Sequence, residues 1–150
     1  MPCLAATLAR ARDAFEVHGL RFTDLRERVL TEIAGSHHAI GAYDVIDKLG
    51  EKGTRLTPVS VYRAIEALIA AGIVHRLESR NAYFACHAAH TSARQHVVLS
   101  CGACHTIAEV AGDTVFGAIE DVTGRHGFTA SRAIVEIAGR CARCAGQGRA

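Results

Sequence analysis

The feature that most constrains this chain is a run of metal-binding residue types between positions 75 and 109. Its spacing is H-x10-C-x9-H-x4-C-x2-C-x4-E, and its members are His75, Cys86, His96, Cys101, Cys104 and Glu109. A second C-x2-C pair, Cys141 and Cys144, lies near the C-terminus. Thiolate, imidazole and carboxylate are the groups that hold zinc in proteins. We therefore expect two metal sites, one that stabilises the fold and one that switches it.

The first two of these ligands lie in a predicted β-hairpin. Residues 73–78 and 82–86 have the composition of strands, and a polar turn at residues 79–81 separates them. If the hairpin turns between Arg80 and Asn81, His75 lies directly opposite Cys86, with Cβ atoms about 4.5–5.5 Å apart. A register shift of one residue would place the two side chains on opposite faces.

A second predicted hairpin pairs residues 96–101 with residues 105–110 and reverses at Gly102 and Ala103. This register places Cys101 opposite Cys104 and His96 opposite Glu109. The two hairpins then offer one tetrahedral set of regulatory ligands: His75, Cys86, His96 and Glu109. His90 is the rival of His96, because it also lies between Cys86 and Cys101, and His87 is a further reserve ligand.

Four of the other cysteines, Cys101, Cys104, Cys141 and Cys144, suit a closed structural zinc site, because four thiolates form a tetrahedral set without an open position. The alternatives are two unrelated surface elements or a redox dithiol. A thioredoxin-like motif has its C-x2-C at the start of a helix, whereas each pair here lies beside a predicted strand. A helix capped by Asp113, and then a strand at residues 128–137, separate the pairs. We expect two Zn²⁺ ions per chain.

Composition limits the remaining possibilities. The chain has 150 residues, 49% of them hydrophobic, and no apolar run approaches the length of about 18 residues that a membrane span needs. The N-terminus lacks the basic-then-apolar layout of a signal peptide, so we expect a cytoplasmic protein with reduced thiols and no membrane partner. The net charge of +2 does not by itself predict nucleic-acid binding.

The N-terminal half predicts several short helices. Apolar residues at positions 4, 8, 11 and 15 form the buried face of the first, and Gly19 closes it. Thr23 is the predicted N-cap of the second helix. A third helix carries Ala42, Val45, Ile46 and Leu49. Thr57 is the predicted N-cap of the last, with Pro58 as its first residue. The inward residues of that last helix are predicted to be Val61, Ile65, Leu68 and Ile69.

Helices followed by a tight hairpin are typical of a winged helix, in which the N-terminal turn of the last helix enters the major groove of DNA. Small side chains at positions 59, 60 and 64 would let the backbone approach DNA, and Arg63 could read guanine or hold a phosphate. The alternative is that Arg63 is a solvated surface residue and Tyr62 an edge of the core, since three-helix units also serve as scaffolds.

Several segments together resemble the ferric uptake regulator (Fur) superfamily, and within it the zinc uptake regulator (Zur) branch. They are residues 42–49, 61–68, 72–87, the first C-x2-C, Glu109, residues 127–128 and residues 136–144. The resemblance implies an α+β homodimer with a winged helix-turn-helix DNA-binding domain at residues 1–86 and an α/β dimerisation and metal-binding domain at residues 87–150. The hinge would lie at about residues 86–95.

The resemblance also implies roles for individual residues. The regulatory ligands match His75, Cys86, His96 and Glu109, and the structural ones match Cys101, Cys104, Cys141 and Cys144. Tyr43 and Arg63 match residues that contact operator DNA, and with the first turn of the last helix the DNA-binding set becomes Tyr43, Thr57, Ser60, Tyr62 and Arg63. Two departures stand out: His105 replaces the usual glycine after the second knuckle cysteine, and Ala133 stands where iron-sensing members often have a histidine.

These features predict a zinc-responsive transcriptional repressor of zinc uptake genes, which binds palindromic double-stranded operator DNA as a homodimer. Zinc held by both hairpins would fix the angle between the domains and so the spacing of the recognition helices. The alternatives are a family member that senses iron, manganese or peroxide, and a structural zinc module without DNA binding. A zinc hydrolase with Glu109 as base is disfavoured, because four protein ligands leave no position for water. No catalytic residue and no small-molecule substrate are expected.

Overall fold

The computed structural model describes residues 4–36, 38–53, 55–86 and 95–146. The chain forms two compact units, Met1–Ala89 and His90–Ala150, and each is described separately. Within the described ranges, no helix combines the length and the apolar character that a membrane crossing requires.

The first unit begins with four helices: α1 (Leu4–Val17), α2 (Asp24–Gly35), α3 (Ala42–Glu51) and α4 (Pro58–Ala70). Local chemistry sets their ends. The Thr23 side chain accepts a hydrogen bond from the Arg26 N–H at the start of α2, and Thr57 accepts one from the Ser60 N–H at the start of α4. Gly72, with φ +70°, ends α4 in the left-handed conformation that glycine adopts most easily. The predicted caps Thr23 and Thr57 are confirmed.

The inward faces of the helices form the core of the first unit. Fully buried members are Phe15, Val29, Leu30, Ile33, Val45, Leu49, Val61, Ile65, Leu68 and Val74. Two predictions on α4 are wrong: Ile69 is 37% exposed, whereas Ala64 is 3% exposed and faces the core. Ala64 lies three residues after Val61 and four before Leu68, so it continues the buried stripe, and Ile69 lies beyond its edge. Ala64 therefore cannot provide a close approach to DNA.

A hairpin follows α4, formed by β1 (Val74–Leu77) and β2 (Ala82–Ala85). A 3₁₀ turn at Glu78–Arg80 and Asn81, with φ +48°, connect the strands. His75 lies opposite Phe84, so the prediction that it lies opposite Cys86 is wrong. The loop is centred one residue earlier than expected, which moves every partner by two positions. A shift of two keeps the face, because side chains alternate with a period of two. His75 and Cys86 are therefore diagonal neighbours on one face.

The second unit contains β3 (His96–Cys101), β4 (Ile107–Ala111), α5 (Asp113–Arg125), β5 (Val135–Gly139) and α6 (Ala142–Gly146). Its sheet has the order β4-β3-β5, with β3 antiparallel to β4 and parallel to β5. The N-cap of α5 is Gly112, so the prediction of Asp113 as the cap is wrong by one residue. A Cβ at position 112 would lie 2.9 Å from the Phe116 ring, which explains the glycine. The last strand begins at Val135 rather than at residue 128.

The register of the second hairpin also differs from the prediction by two positions. His96 lies opposite Ala111 and Glu109 opposite Val98, so His96 is not directly opposite Glu109. The Cys101 N–H donates to the Thr106 carbonyl at 3.0 Å, and so Cys101 faces Thr106 rather than Cys104. The reason is a longer reversal, since the chain turns through residues 102–104 and β4 begins only at Ile107. His96 and Glu109 remain diagonal neighbours on one face.

Candidate metal centres and nucleic-acid interface

Four cysteines of the second unit form a compact cluster of sulfur atoms. The Sγ atoms of Cys101, Cys104, Cys141 and Cys144 all lie within 4.8 Å of one another. The Cys104 and Cys141 sulfurs are 3.7 Å apart. In a tetrahedral site with Zn–S bonds of about 2.3 Å, neighbouring sulfurs are about 3.8 Å apart. The spacing of this cluster therefore fits four thiolates around one zinc ion.

The sheet topology explains why residues 40 positions apart meet here. The parallel strands β3 and β5 end at the same edge of the sheet, with Cys101 in register with Gly139. The Gly102 N–H extends this pairing by donating to the Gly139 carbonyl at 2.8 Å. The Cys141 N–H then donates to the Cys101 sulfur at 3.4 Å. The segments that follow the two strands are thus held side by side, and each contributes one C-x2-C pair.

The cysteines of the cluster differ in acidity. Hydrogen bonding with the Thr106 side chain, whose Oγ1 lies 3.2 Å from the sulfur, is the main cause that lowers the pKa of Cys104 to about 5. Backbone N–H groups, first that of Cys104, lower the pKa of Cys101. Hydrogen bonding to Cys104 raises the pKa of Cys144 to about 12, because its thiol keeps the proton that it shares with the neighbouring thiolate. A bound cation would favour ionisation of all four sulfurs, and a soft divalent ion fits this donor set.

His105, which follows the knuckle, has the left-handed backbone conformation, with φ +59°. Its N–H donates to the Cys101 carbonyl at 3.0 Å and so closes the turn. Glycine adopts this conformation without the Cβ clash that costs other residues about 1–2 kcal/mol. The departure at position 105 therefore places strain in the turn and leaves the four sulfur donors unchanged.

Two of the predicted regulatory ligands lie in the first unit, on the hairpin after α4. Cys86 is buried, and its N–H donates to the Ile73 carbonyl at 2.9 Å, one residue beyond β2. His75 is half-buried on β1, with its ring centroid 5.8 Å from that of Phe84. The hairpin thus brings an imidazole and a thiol to one face of the helix-turn-helix unit. This pair offers one nitrogen and one sulfur to a metal ion.

The other two predicted ligands, His96 and Glu109, lie in the second unit. Both are half-buried, on the shared face of β3 and β4. This pair offers one nitrogen and one oxygen. The reserve ligands His87 and His90 lie outside the described residues, and so the preference for His96 over His90 stays a prediction.

The predicted DNA-contacting residues lie on α3 and at the start of α4. Tyr43 is 65% exposed on α3. Thr57 is exposed at the start of α4, and Arg63 is exposed further along the same helix. Ser60 is half-buried, and its Oγ lies 2.8 Å from Thr57 Oγ1. Tyr62 packs against the core, which favours its interpretation as a core-edge residue. The exposed groups of this surface are an aromatic ring, a hydroxyl and a guanidinium, all suited to phosphates or base edges.

One residue that contacts a predicted ligand gave no signal in the sequence. The Arg10 guanidinium of α1 donates through Nη2 to the Cys86 carbonyl, across 76 positions of the chain. In the helical pattern Arg10 is only a polar residue beside the buried Ala11. Contacts over such a separation depend on the tertiary fold, and periodicity does not predict them.

Comparison with known proteins gives a consistent set of matches. A sequence model of the ferric uptake regulator family matches residues 17–138. The zinc uptake regulation protein of Escherichia coli (strain K12) is 39% identical over 90 residues, which are 57% of this chain and 53% of that protein. The protein of the same name from Shigella flexneri matches to the same extent. The chain thus spans about half the length of these relatives.

Two solved structures are similar over almost the whole chain. A zinc uptake regulator complexed with zinc and DNA has a TM-score of 0.91 and 28% identity, and the match covers 100% of both chains. Holo XcZur has a TM-score of 0.85 and 34% identity, over 96% of this chain and 99% of that chain.

Proposed function

The chain belongs to the ferric uptake regulator family, and from that premise we propose that it is a zinc-responsive transcriptional repressor. It would bind palindromic operator DNA as a homodimer when its regulatory zinc site is filled, and so control zinc uptake genes. The relatives named for zinc uptake regulation, and the similar structure in complex with zinc and DNA, support this proposal. A repressor of this kind acts where the DNA is, in the cytoplasm.

One observation carries the proposal: the helix-turn-helix unit itself contains an imidazole and a thiol on one face, two groups that can bind zinc. His75 and Cys86 share a face of the hairpin that directly follows α4, the proposed recognition helix. A thiolate with an imidazole favours zinc over the harder metal ions that oxygen-rich sites select. An ion bound here contacts the element next to the DNA-reading helix, which gives the metal a direct physical effect on DNA binding.

We propose two zinc ions per chain with different roles. The structural ion would be held by Cys101, Cys104, Cys141 and Cys144, whose sulfur spacing supports a closed site. The regulatory ion would be held by His75, Cys86, His96 and Glu109. The family resemblance and the pairing of these residues on two hairpin faces support the second set. Four protein ligands would leave no position for a reactive water, which fits a regulator better than a hydrolase.

The switch would act through domain geometry. A DNA-binding domain at residues 1–86 and a dimerisation domain at residues 87–150 would be joined by a hinge at about residues 86–95. A filled regulatory site would restrict that hinge and favour the spacing of two recognition helices that matches two half-sites about one helical turn, or a multiple, apart. Zinc and operator DNA would then strengthen each other's binding by the same factor.

Contact with DNA is assigned to Tyr43, Thr57, Ser60, Tyr62 and Arg63. Arg63 is the strongest candidate, because an exposed arginine on a recognition helix can bind guanine or a phosphate. Thr57 and Tyr43 are exposed, although the Thr57 hydroxyl also caps α4, whereas Tyr62 would act mainly by supporting the helix.

Zinc-dependent selection of DNA tests the proposal. Random double-stranded DNA is selected on the zinc-loaded protein, and binding of the selected fragment is then measured with zinc and after mild chelation. We expect tight binding only with zinc, and an Arg63→Ala variant weakened about 10- to 100-fold, whereas Arg125→Ala, on α5, serves as the matched control. Zinc-dependent binding that Arg63→Ala leaves unchanged would refute the assignment of α4 as the recognition helix.

The same assay separates the remaining alternatives. If iron or manganese restored binding better than zinc, or if peroxide abolished it at constant zinc, the protein would sense that signal instead. If no DNA were selected at any metal concentration, the chain would be a structural zinc module.

A further inference from the structure

Two hydrogen bonds fix the main chain of Cys86, and one of them comes from a helix that is distant in the sequence. The Cys86 N–H donates to the carbonyl of Ile73, on the opposite arm of the hairpin, at 2.9 Å. The Cys86 carbonyl accepts a hydrogen bond from Arg10 on α1. Both polar groups of the backbone at this ligand are therefore held, one within the hairpin and one by a charged side chain.

The end of α4 explains why an arginine is used there. In a regular antiparallel pair, Ile73 and Cys86 would exchange two hydrogen bonds. The Ile73 N–H instead donates to the Leu68 carbonyl at 3.0 Å, and the Gly72 N–H donates to the Ile69 carbonyl at 2.9 Å. These two bonds form the Schellman motif that ends α4. The ladder bond to the Cys86 carbonyl is therefore replaced by the bond from Arg10.

Bonds from a charged donor are shorter and about twice as strong as bonds between neutral groups. Arg10 is half-buried and lies at the edge of the α1 face that contains the buried Thr7 and Ala11. Helix α1 packs into the core of the first unit through Ala11 and Phe15. The hydrogen bond from Arg10 therefore fixes the position of Cys86 relative to that core. Groups that fix a metal ligand typically change metal affinity 10- to 100-fold when they are removed.

We propose that Arg10 is a positioning residue for the regulatory metal site, which holds Cys86 at the end of the hairpin in the place where its sulfur binds the ion. The inference rests on the proposed function, because it assumes that Cys86 is a ligand of the regulatory ion. It adds a residue of α1 to a site whose proposed ligands all lie after residue 74. Arg10 itself does not bind the metal.

The test uses the full chain with zinc kept in the cysteine cluster, which we expect to resist mild chelation, whereas the regulatory site is expected to be labile. Three variants are compared: Arg10→Ala, Arg10→Lys and Arg12→Ala. Arg12 is the matched control, because it lies on the same helix and makes an exposed ion pair with Glu27 at 3.0 Å. The affinity of the labile site is measured by competition with a chelator. Cobalt(II) is the second probe, because its thiolate charge-transfer band reports directly on sulfur ligation at the labile site.

We expect Arg10→Ala to weaken labile zinc binding at least about tenfold and to weaken the cobalt–thiolate band of that site. Arg10→Lys, which keeps one charged donor, should recover part of the affinity, and Arg12→Ala should bind zinc normally. The melting temperature of Arg10→Ala without labile zinc should match that of Arg12→Ala within a few degrees. The cysteine cluster should retain its zinc in every variant.

Equal labile zinc affinity in Arg10→Ala and Arg12→Ala would overturn the inference. It would also fail if Arg10→Ala lost labile zinc only together with a large fall in melting temperature that Arg10→Lys did not reverse, since that pattern describes a residue that only supports the fold. A Cys86→Ser variant separates this failure from that of the proposed function. If Cys86→Ser kept the labile ion, the ligand assignment itself would be wrong, whereas a loss in Cys86→Ser with normal binding in Arg10→Ala would refute only the role of Arg10.

Discussion

The two units of this chain bury their apolar residues very differently. The first closes a core of four helices and a hairpin, in which side chains such as Phe15, Leu30 and Leu68 are fully buried. Within residues 95–146, the described part of the second unit, the buried side chains are Val97, Ser100, Cys101 and Phe116. The hydrophobic effect within one chain can stabilise the first unit, whereas the second needs other sources of stability.

The surface of the second unit indicates what those sources are. Large apolar side chains are exposed there, among them Val122 on α5, Phe128, Ile134 and Ile137. Exposed apolar groups in such number are typical of a surface that a partner covers. Together with the sulfur cluster, they indicate a unit that is completed by a metal ion and, in our proposal, by a second copy of the chain.

The largest effect that this contrast predicts follows from removing a sulfur of the cluster. Cys101→Ser should unfold or monomerise the second unit, because a structural zinc site supplies about 10–16 kcal/mol of apparent binding free energy in small zinc-dependent domains. The first unit should remain helical. Zinc content, circular dichroism and sedimentation of the variant measure these outcomes.

Cys86→Ser is the control for this experiment, since it removes a thiol from the first unit. We expect a folded dimer that retains one zinc ion per chain and no longer responds to zinc in DNA binding. If the two variants behaved alike, the division into a structural and a regulatory site would be wrong.

A core substitution in the first unit tests the other half of the contrast. Leu68→Ala should lower the free energy of unfolding of this unit by about 2–5 kcal/mol, because the cavity at a fully buried site adds to the lost transfer free energy. Ile69→Ala, one residue further, should cost much less, since that side chain is 37% exposed. Denaturant unfolding measures both. A similar cost for the two substitutions would contradict the burial pattern of α4.

A third substitution addresses the apolar surface of the second unit. Val122→Glu places a charge on the exposed face of α5, and we expect it to weaken self-association at least about tenfold, because interface cores are depleted of charged residues. Val17→Glu, at an exposed site of α1, is the matched control. Sedimentation of both variants at several concentrations gives the dissociation constants. Unchanged association in Val122→Glu would exclude this face of α5 as the dimer surface.

The sequence predicted these regions with unequal success, and the reasons are physical. Helix caps such as Thr23 and Thr57 depend on hydrogen bonds within four residues, so the local sequence determines them. Strand registers depend on the conformation of the turn, and here Asn81 and His105 adopt left-handed conformations that composition did not reveal. Both registers were wrong by two positions. The residues of each predicted ligand pair still share a face, because a shift of two positions preserves the alternation of side chains along a strand.

The sequence patterns did not predict contacts between residues that are far apart in the chain. The parallel pairing of β5 with β3, which brings the two C-x2-C pairs together, depends on the path of the chain through α5. Similarly, the bond from Arg10 to the Cys86 carbonyl depends on the packing of α1 against the rest of the first unit. The candidate ligands are predicted from the spacing of their residue types, whereas the contact that Arg10 makes with one of them is visible only in the fold.

The smallest predicted effect concerns the turn at His105, where the second unit contains backbone strain beside its metal site. His105→Gly should relieve the left-handed strain, which is worth about 1–2 kcal/mol. It should also stabilise the unfolded state by about 0.5–1 kcal/mol, because glycine has more conformational freedom there. We therefore expect a net gain of at most about 1.5 kcal/mol, measured by denaturant unfolding of the zinc-loaded protein. His105→Val should have the opposite sign, because a β-branched residue tolerates this conformation least. If glycine destabilised the protein as valine does, the His105 side chain would contribute more to the knuckle than its backbone strain costs, and the second unit would depend on that contact as well as on its metal.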